Sequence, residues 1–447
     1  MPVKISRWPS GITDCIERDE KILESIMTRV LRLITELIEP FDESGIVDDL
    51  FGSLRDRAER GEIPVILFCA GSSGSIFYRL LIRQGIHPTC FCDNNPSRAG
   101  KKHCDIPILS FEELKNLHRD SLILIASAAY QNLVKSQLLA HGFNPDRIIT
   151  LDTDDPSPDV QIRRERILML ARNGEPSGVL ERLRNDEDKI CAAFDLFADD
   201  KSRDLFVRRL ALIASGYEHR AYKKYLEDFS EPVLRYGFDN PERFTVPGSY
   251  FYFNNDVLHI HDDEVLVDGG AFCGDSVEEF IRACKNNNVR YKHIFCYEPD
   301  PSNYRQLLEN TSGYRDVTCF PLGLWSSKTE LRFLSSERTE SYCARIHDSG
   351  TAAQDIADLH IETANIDGQP AHENMTIFKL DIEGAEMEAI AGAAKTIRNS
   401  SPQLALSVYH NTSDLYNIPL FVHRLNPGYK LYLRHFGNYF DDTMLLT

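Results

Sequence analysis

The sequence of 447 residues lacks several signatures that would assign it to a special class. None of its 11 cysteines forms a C-x-x-C pair, so neither a zinc site of regular spacing nor a disulfide framework is predicted. No apolar run approaches the roughly 18 residues of a membrane span, and residues 1–15 contain no apolar core of a signal peptide. These absences predict reduced cysteines and a cytoplasmic protein with no membrane span.

Basic residues are scarce relative to acidic ones. Lys and Arg total 50 against 68 Asp and Glu, which gives a formal net charge of -18 at pH 7. Such a chain repels a phosphate backbone and an anionic membrane surface. The composition therefore predicts no nucleic-acid partner and favours a small molecule or a neutral glycan.

The length predicts two or three domains at roughly 150 residues per domain. The sequence divides into four segments, of which two are α/β domains: an N-terminal helical segment (1–60), an α/β domain (61–152), a helical linker or cap (153–260) and a second α/β domain (261–447). Within the first segment, residues 21–38 carry apolar side chains at helical spacing. This pattern predicts an amphipathic helix that packs on the next domain or on a partner in a homo-oligomer.

The first α/β domain reads as strand, glycine turn, helix, strand and acid. Its turn contains Gly71 and Gly74, and Asp93 lies 19 residues beyond Gly74 (93 − 74). An acid about 20 residues beyond such a turn can hold a ribose, but Cys69 stands where the first glycine of that fingerprint belongs. A second nucleotide site and a purely structural module both remain open. With its A-G-S-S-G turn and F-C-D-N-N-P strand end, the stretch resembles the small Rossmann-like domains of sugar-nucleotide-modifying enzymes.

The second α/β domain is organised around another glycine turn. A buried apolar strand, 265–267, runs into Asp268 and the turn G-G-A-F-C-G. Glycine is expected there because a Cβ would fill space that a ligand needs. The next strand ends at Glu298, 24 residues beyond Gly274 (298 − 274), where a carboxylate can accept both hydroxyls of a ribose. The turn and the two acids predict a nucleoside site.

Further along this domain the pattern predicts a strand at 330–334 followed by a polar insertion, a strand at 377–380 and a helix at 385–397. Polar residues follow several of the domain's strands. Ligands of open α/β sheets bind outside the carboxyl ends of the strands, so residues at those ends should converge on one edge. The predicted set consists of Asp268, Glu298, Asp381, His410, Arg434 and His435. The aromatic run 250–253, Y-F-Y-F, precedes the domain and is predicted to plug the edge of the sheet rather than to stack on a sugar.

At these residues the chain resembles the FkbM family of S-adenosylmethionine-dependent methyltransferases. The matching stretches are V-D-G-G-A-F-C-G-D-S, Y-E-P-D-P-S-N-Y, F-K-L-D-I-E-G-A-E and Y-K-L-Y-L-R-H-F, within residues 262–447. The resemblance implies an α/β fold: a class I methyltransferase Rossmann-like sheet of seven strands, the last antiparallel, here preceded by a smaller Rossmann-like α/β domain and a helical bridge. It also implies S-adenosyl-L-methionine as the cofactor and O-methylation of a hydroxyl on a sugar, glycan or secondary metabolite.

The resemblance also assigns roles to individual residues. The cofactor-binding set comprises Asp268, Gly269, Gly270, Gly274, Asp275, Glu298 and Asp381. Transfer of a sulfonium methyl requires in-line positioning and removal of the acceptor proton. His410 and Asp381 are the candidate bases, with His435, Glu383 and Glu386 as second choices. Oxygen ligands from the three carboxylates could hold a divalent cation, but no metal is predicted because solvated or capping carboxylates are common in a turn and helix.

Two other functions remain open at this stage. A nicotinamide-dependent oxidoreductase or epimerase acting on a nucleotide sugar also uses a glycine turn and an acid, although this turn lacks the regular G-x-G-x-x-G spacing. A non-catalytic scaffold would leave Asp268, Glu298 and Asp381 at buried strand ends without a ligand, which is energetically costly. The residues therefore favour methyl transfer.

Overall fold

The computed structural model describes two α/β units and a helical region between them. The described residues are 30–37, 63–83, 85–96, 98–126, 131–150, 176–217, 219–229, 252–253, 255–334, 345–346, 359–369, 372, 374–435 and 443–447. Both units have parallel-rich sheets with flanking helices, so the predicted α/β class is confirmed. Residues 30–36 are helical, and the rest of the amphipathic helix predicted at 21–38, apart from Leu37, lies outside the described residues. Within the described parts of the chain, every helix is too short or too polar to span a bilayer.

The first unit contains a six-stranded sheet. Its elements are β1 (Val65–Phe68), α1 (Ser72–Arg83), β2 (Cys90–Cys92), β3 (Lys102–His103), β4 (Ile106–Leu109), α2 (Phe111–Leu117), β5 (Leu122–Ile125), α3 (Gln131–Ala140) and β6 (Ile148–Ile149). The order is β3-β4-β2-β1-β5-β6, and only the β3–β4 pair is antiparallel. The central strands β1 and β5 read V-I-L-F and L-I-L-I and are fully buried, as expected for parallel strands covered on both faces.

The helical region lies against one edge of the second sheet. It consists of α4 (Pro176–Asn185), α5 (Glu187–Leu196), α6 (Asp200–Ala214) and α7 (His219–Phe229). Asp199 caps α6 by accepting a hydrogen bond from the backbone N–H of Ser202 at 2.8 Å. The Ser202 hydroxyl in turn accepts the backbone N–H of Leu433 at 2.9 Å. The region predicted as a helical bridge is thus tied by hydrogen bonds to the second unit.

The second unit is built on a seven-stranded sheet. Its main elements are β7 (Glu264–Gly269), α8 (Asp275–Asn286), β8 (Tyr291–Tyr297), α9 (Pro301–Thr311), β9 (Val317–Phe320), β14 (Ile377–Leu380), α10 (Glu386–Gly392), α11 (Ala394–Ser400), β15 (Gln403–Ser407), α12 (Asp414–Leu425), β16 (Tyr432–His435) and β17 (Thr443–Leu446). The order is β16-β17-β15-β14-β7-β8-β9, and β17 runs antiparallel to both of its neighbours. Because the chain leaves β7 towards β8 on one side and returns at β14 on the other, β7 marks the switch point of the sheet.

A small second sheet interrupts this unit and was not predicted. It joins β10 (Gly323–Leu324), β11 (Glu330–Leu334), β12 (Arg345–Ile346) and β13 (Leu359–Ala364) in the order β10-β13-β11-β12. The sequence predicted β11 alone and assigned the next residues to a polar insertion. Two-residue strands such as β10 and β12 are too short to leave a periodic signal.

The helix predicted at 385–397 is divided into α10 and α11. The break falls at Ala393, whose φ of -111° and ψ of 6° are not helical. At the preceding residue, an added Cβ on Gly392 would lie 2.1 Å from the carbonyl oxygen of Trp325. The close approach of these two backbones therefore requires a glycine at the end of α10.

The glycine turn after β7 packs directly against the end of β14. Gly270 has a φ of +74°, and a Cβ there would lie 1.8 Å from the carbonyl oxygen of Asp381. A Cβ on Gly269 would lie 2.6 Å from Cδ2 of Leu380. The space that these side chains would need is thus filled by the protein itself. Packing within the protein therefore requires Gly269 and Gly270, and contact of this turn with a ligand stays a prediction.

We expect Gly270→Ala to lower the free energy of unfolding by about 2 kcal/mol or more, because it combines a left-handed backbone with a clash against a carbonyl group. Urea denaturation measures the change. Gly313→Ala is the matched control, since a Cβ at Gly313 meets no atom within 4 Å. Equal effects of the two substitutions would contradict the packing role of Gly270.

Candidate active site

Three of the predicted site residues lie at the carboxyl edge near the switch point. Glu298 follows β8 and Asp381 follows β14, the two strands that flank β7. His410 lies beyond the end of β15, the neighbour of β14, and its Nε2 is 3.5 Å from Oδ1 of Asp381. The glycine turn therefore lies between an acid on one side and an acid with a histidine on the other.

Asp268 is completely buried beneath this turn. Its carboxylate accepts a hydrogen bond from the Ser276 hydroxyl and lies 2.9 Å from Nζ of Lys379. We expected Asp268 to face the polar end of a ligand. In the structure the Asp268 carboxylate instead pairs with groups inside the protein, because a buried carboxylate is unfavourable without such partners.

Lys379 is a residue of the site that we did not predict. It lies in β14 with only 2% of its surface exposed, and its Nζ donates to the carbonyl oxygen of Gly270 at 2.8 Å. Burial lowers the pKa of Lys379, but Asp268 and Asp381 outweigh that effect and raise it. The available signal was a lysine inside the apolar strand I-F-K-L, where a charge requires a buried partner.

Glu298 is 5% exposed and joins the two loops that frame the turn. Its Oε2 accepts the backbone N–H of Phe272 at 3.0 Å, and its Oε1 accepts that of Asp300 at 2.8 Å. Burial raises the pKa of Glu298 to about 8, and the further influences are backbone N–H groups, Asn303 and the Asp300 carboxylate. None of these influences is a cation, so this carboxylate suits neutral donors such as hydroxyl groups.

Asp381 is the more accessible member of the acid and histidine pair, with 24% of its side chain exposed. It accepts hydrogen bonds from the hydroxyls of Tyr252 at 2.7 Å and Tyr409 at 2.9 Å. Burial raises the pKa of Asp381, but His410, Lys379 and these two hydroxyls hold it below its usual range. The group is therefore an ionised carboxylate fixed in orientation by two phenols.

Tyr252 had been predicted to plug the sheet edge. The structure does bury its ring and that of Phe253, which packs on Phe280 with centroids 5.1 Å apart. The Tyr252 hydroxyl nevertheless donates a hydrogen bond to Asp381, a contact that no sequence pattern predicts. The neighbouring Tyr250 and Phe251 lie outside the described residues.

His410 lies behind Asp381, with 3% of its side chain exposed. Its Nδ1 is 2.9 Å from Oε1 of Glu386, and its Nε2 is 3.5 Å from Oε2 of Glu383. Burial lowers the pKa of His410, but the carboxylates of Glu386 and Glu383 outweigh that effect and raise it well above its usual value. The second-choice residues Glu383 and Glu386 thus surround His410.

The strand-end residues Arg434 and His435 do not converge with the others. Both lie in β16, which is separated from β14 by β17 and β15. The Arg434 guanidinium lies 2.7 Å from Asp199 in the helical region, and the His435 ring packs 5.1 Å from that of Tyr225. His435 therefore lies away from Asp381, because neighbouring strands are about 4.8 Å apart and two strands separate β16 from β14.

The remaining cofactor candidates lie at the start of α8. Gly274 precedes the helix with a φ of +90°, and a Cβ there would lie 3.2 Å from Leu307 of α9. Asp275 is exposed and occupies the first helical position, where its Oδ1 accepts the backbone N–H of Ser276. An acid at this position interacts favourably with the helix dipole.

In the first unit, the residues of the predicted nucleotide site make contacts within the protein. Asp93 accepts hydrogen bonds from the backbone N–H of Ala70 at 2.8 Å and from Arg98 at 3.0 Å. A Cβ on Gly74 would lie 2.2 Å from the carbonyl oxygen of Cys69, so this glycine allows α1 to pack on β1. Gly71 precedes α1, and its carbonyl accepts the backbone N–H of Ser75 at 3.0 Å. This arrangement gives Asp93 a structural role at the end of β2.

Residues 268–431 match the family model of the methyltransferase FkbM domain. The matched range begins at Asp268 and includes Glu298, Asp381 and His410. The chain carries a methyltransferase FkbM domain. The predicted family resemblance is confirmed, and the acids flanking the switch point belong to a methyltransferase domain.

Comparison with solved structures finds proteins of low sequence identity to this chain. The methyltransferase FkbM from Methylobacillus flagellatus KT is 17% identical, with a TM-score of 0.49, over 96% of this chain and 100% of that one. Fibrillarin from Aeropyrum pernix, with natively bound S-adenosyl-L-methionine, is 11% identical, with a TM-score of 0.25; the match covers 42% of this chain and 66% of fibrillarin. The DszA carbon methyltransferase is 11% identical, with a TM-score of 0.22; the match covers 90% of this chain and 75% of that one. No curated protein matches the chain.

We expect Lys379→Met to destabilise the methyltransferase domain by about 3 to 5 kcal/mol, because Asp268 would remain buried without its cation. The double variant Lys379→Met/Asp268→Asn should recover part of that loss, since neither charge remains. Lys189→Met is the control, because Lys189 is 53% exposed and its pair with Asp186 should contribute less than about 1 kcal/mol. Chemical denaturation of the four proteins tests this, and a double variant no more stable than Lys379→Met would contradict it.

Proposed function

We propose that the chain is an S-adenosyl-L-methionine-dependent methyltransferase that methylates a hydroxyl group of a sugar, glycan or other small molecule. The observation that carries the proposal is the placement of Glu298 and Asp381 on either side of the turn after β7, at the switch point of the sheet. The methyltransferase FkbM domain, which spans both residues, supports the same reaction class.

The residues present fit this cofactor. Glu298 is a buried carboxylate with no cation among the influences on its pKa, which suits the two hydroxyls of a ribose. Its backbone partners, Phe272 and Asp300, fix its position from two loops. Asp381 lies beyond the adjacent strand, so the site separates a ribose-binding end from a reacting end.

The cofactor would supply a methyl group on a sulfonium, which is already an activated electrophile. The chain must then align the acceptor oxygen with the methyl carbon and remove the hydroxyl proton. Each of these two contributions lowers the activation barrier by a few kcal/mol. We assign proton acceptance to Asp381, because it is 24% exposed whereas His410 is 3% exposed behind it. Tyr252 and Tyr409 hold the Asp381 carboxylate in place through their hydroxyls. Asp381 would take the acceptor proton as the acceptor oxygen takes the methyl group that the bound cofactor supplies, which leaves the demethylated cofactor as the second product.

The charge of the site limits the acceptor. Asp381 and Glu383 are both partly exposed at the reacting end, and the whole chain has a net charge of -18. An anionic acceptor group next to these carboxylates would be repelled. We therefore propose that the methyl acceptor is a neutral polyhydroxyl compound. The first α/β unit, 61–152, would position this acceptor or form a contact between subunits.

We expect the full chain to bind S-adenosylhomocysteine, the demethylated product, and to bind NADH far more weakly. Glu298→Ala should weaken product binding by about 1.5 to 3 kcal/mol, since it removes a charged acceptor from two hydroxyls. Isothermal titration calorimetry gives both affinities. Tight NADH binding without binding of the methylated or demethylated cofactor would refute the proposed reaction.

Binding should also depend on pH through Glu298. Burial raises its pKa to about 8 in the free protein, whereas a carboxylate that accepts two ribose hydroxyls is ionised in the complex. Binding below about pH 8 must therefore release a proton, so affinity for S-adenosylhomocysteine should rise at least about tenfold between about pH 6 and 8 and then level off. Glu298→Gln should remove that dependence, whereas an identical pH profile in this variant would exclude Glu298 as its source.

We expect Asp381→Asn to lower kcat by roughly a hundredfold or more, because the amide has the same shape but cannot accept a proton. Tyr409→Phe, which removes only one of the two phenol contacts, should have a smaller effect. Transfer of a radiolabelled methyl group to fractionated small-molecule and polysaccharide pools identifies the acceptor and then measures these rates. If Asp381→Asn retains the wild-type kcat, Asp381 is not the proton acceptor, and catalysis comes only from positioning the acceptor against the methyl group.

A further inference from the structure

The side chains around His410 form an unusual cluster, which we call the His410 cluster: Asp381, Glu383, Glu386 and His410. One ligand atom each from Asp381, Glu386 and His410 lies within 4.8 Å of the other two. A divalent cation with bonds of about 2.1 Å holds its ligand atoms roughly 3.0 to 3.4 Å apart. Two ligand atoms at the 4.8 Å limit would therefore reach coordination distance by approaching each other by about 1.4 to 1.8 Å.

Glu386 provides an independent indication of a ligand. This side chain is fully buried, and its Oε1 accepts the backbone N–H of Ile382 at 2.9 Å. Its other oxygen, Oε2, is buried and makes no hydrogen bond to any described part of the chain. A buried carboxylate oxygen without a donor is an unfavourable arrangement that a bound cation would relieve.

His410 is the second buried group of the cluster. Its Nδ1 lies 2.9 Å from Oε1 of Glu386, and its Nε2 lies 3.5 Å from an oxygen of Glu383 and 3.5 Å from an oxygen of Asp381. An imidazole this close to three carboxylates is placed where it can serve as a metal ligand beside them.

The charges of the His410 cluster favour a dication over a simple ion pair. Three carboxylates face His410, and a protonated imidazole would supply only one positive charge to them. Lys379, the other cation nearby, is held 2.9 Å from Asp268. A divalent ion supplies the missing positive charge and satisfies the orphaned oxygen of Glu386 at the same time.

We propose that Asp381, Glu386 and His410 bind a divalent cation of the first transition row. Such ions accept one imidazole nitrogen together with carboxylate oxygens, whereas calcium and magnesium prefer oxygen ligands alone. The three protein ligands leave positions open for the acceptor hydroxyl, whose proton the cation makes more acidic before Asp381 or solvent removes it. The cation site rests on the contacts above, whereas this catalytic role rests on the proposed methyl transfer.

The direct test is a titration of the metal-free full chain with Mn²⁺, followed by electron paramagnetic resonance, because bound Mn²⁺ loses the sharp signal of the free ion. We expect the wild type to bind one equivalent that Zn²⁺ displaces. His410→Gln and Glu386→Gln should each bind at least about tenfold more weakly. His360→Gln is the matched control: His360 is exposed and lies 3.0 Å from Glu330, so its loss should leave affinity unchanged.

The outcomes separate the cation site from the proposed function. Absence of Mn²⁺ and Zn²⁺ binding by the wild type, or wild-type affinity in His410→Gln, would overturn the site. Circular dichroism checks that each variant is folded, and the rise in wild-type Tm with Mn²⁺ provides a measurement that needs no variant. Calorimetry with S-adenosylhomocysteine in the presence of a chelator tests the cofactor separately. Cofactor binding without metal binding would refute only the cation site, and metal binding without cofactor binding would refute only the methyl transfer.

Discussion

The ion pair between Lys379 and Asp268 determines the geometry of the candidate active site. Both groups are buried, and the Lys379 ammonium also binds the carbonyl oxygen of Gly270. This one cation therefore fixes β14 to β7 and holds the glycine turn, which places the two flanking acids. A buried ion pair contributes little net stability compared with apolar residues of similar size. The main effect of this pair is therefore to hold β14, β7 and the glycine turn in position.

The acids that the turn separates differ in environment. Glu298 is surrounded by backbone N–H donors and has a raised pKa, whereas Asp381 is near two cations and two phenols and has a lowered one. Two carboxylates with opposite pKa shifts at one sheet edge are suited to different tasks. Glu298 suits recognition of neutral hydroxyl groups, and Asp381 suits a reaction that develops positive charge or releases a proton.

The sequence predicted the fold of the second unit well because its strands carry clear signals. The strands at 330–334 and 377–380 were predicted with the bounds that the structure has, since apolar β-branched and aromatic residues end at polar or glycine positions. The four-stranded sheet was missed because its pairing joins short strands far apart in the chain. The break at Ala393 was missed because it falls beside Gly392, and no local pattern encodes the close approach of Gly392 to Trp325.

The site was predicted less completely than the fold, and strand order explains why. Strand-end reasoning treats every strand alike, so it included His435 together with His410. A strand contributes to the site only if it lies near the switch point, and the order places β15 two strands from β7 but β16 at the far edge. Lys379 and Tyr252 were missed for a different reason, because their roles depend on contacts with Asp268 and Asp381 across the sheet. Residues whose function is to hold other residues leave no spacing in the sequence, so they become visible only once the strands are assembled.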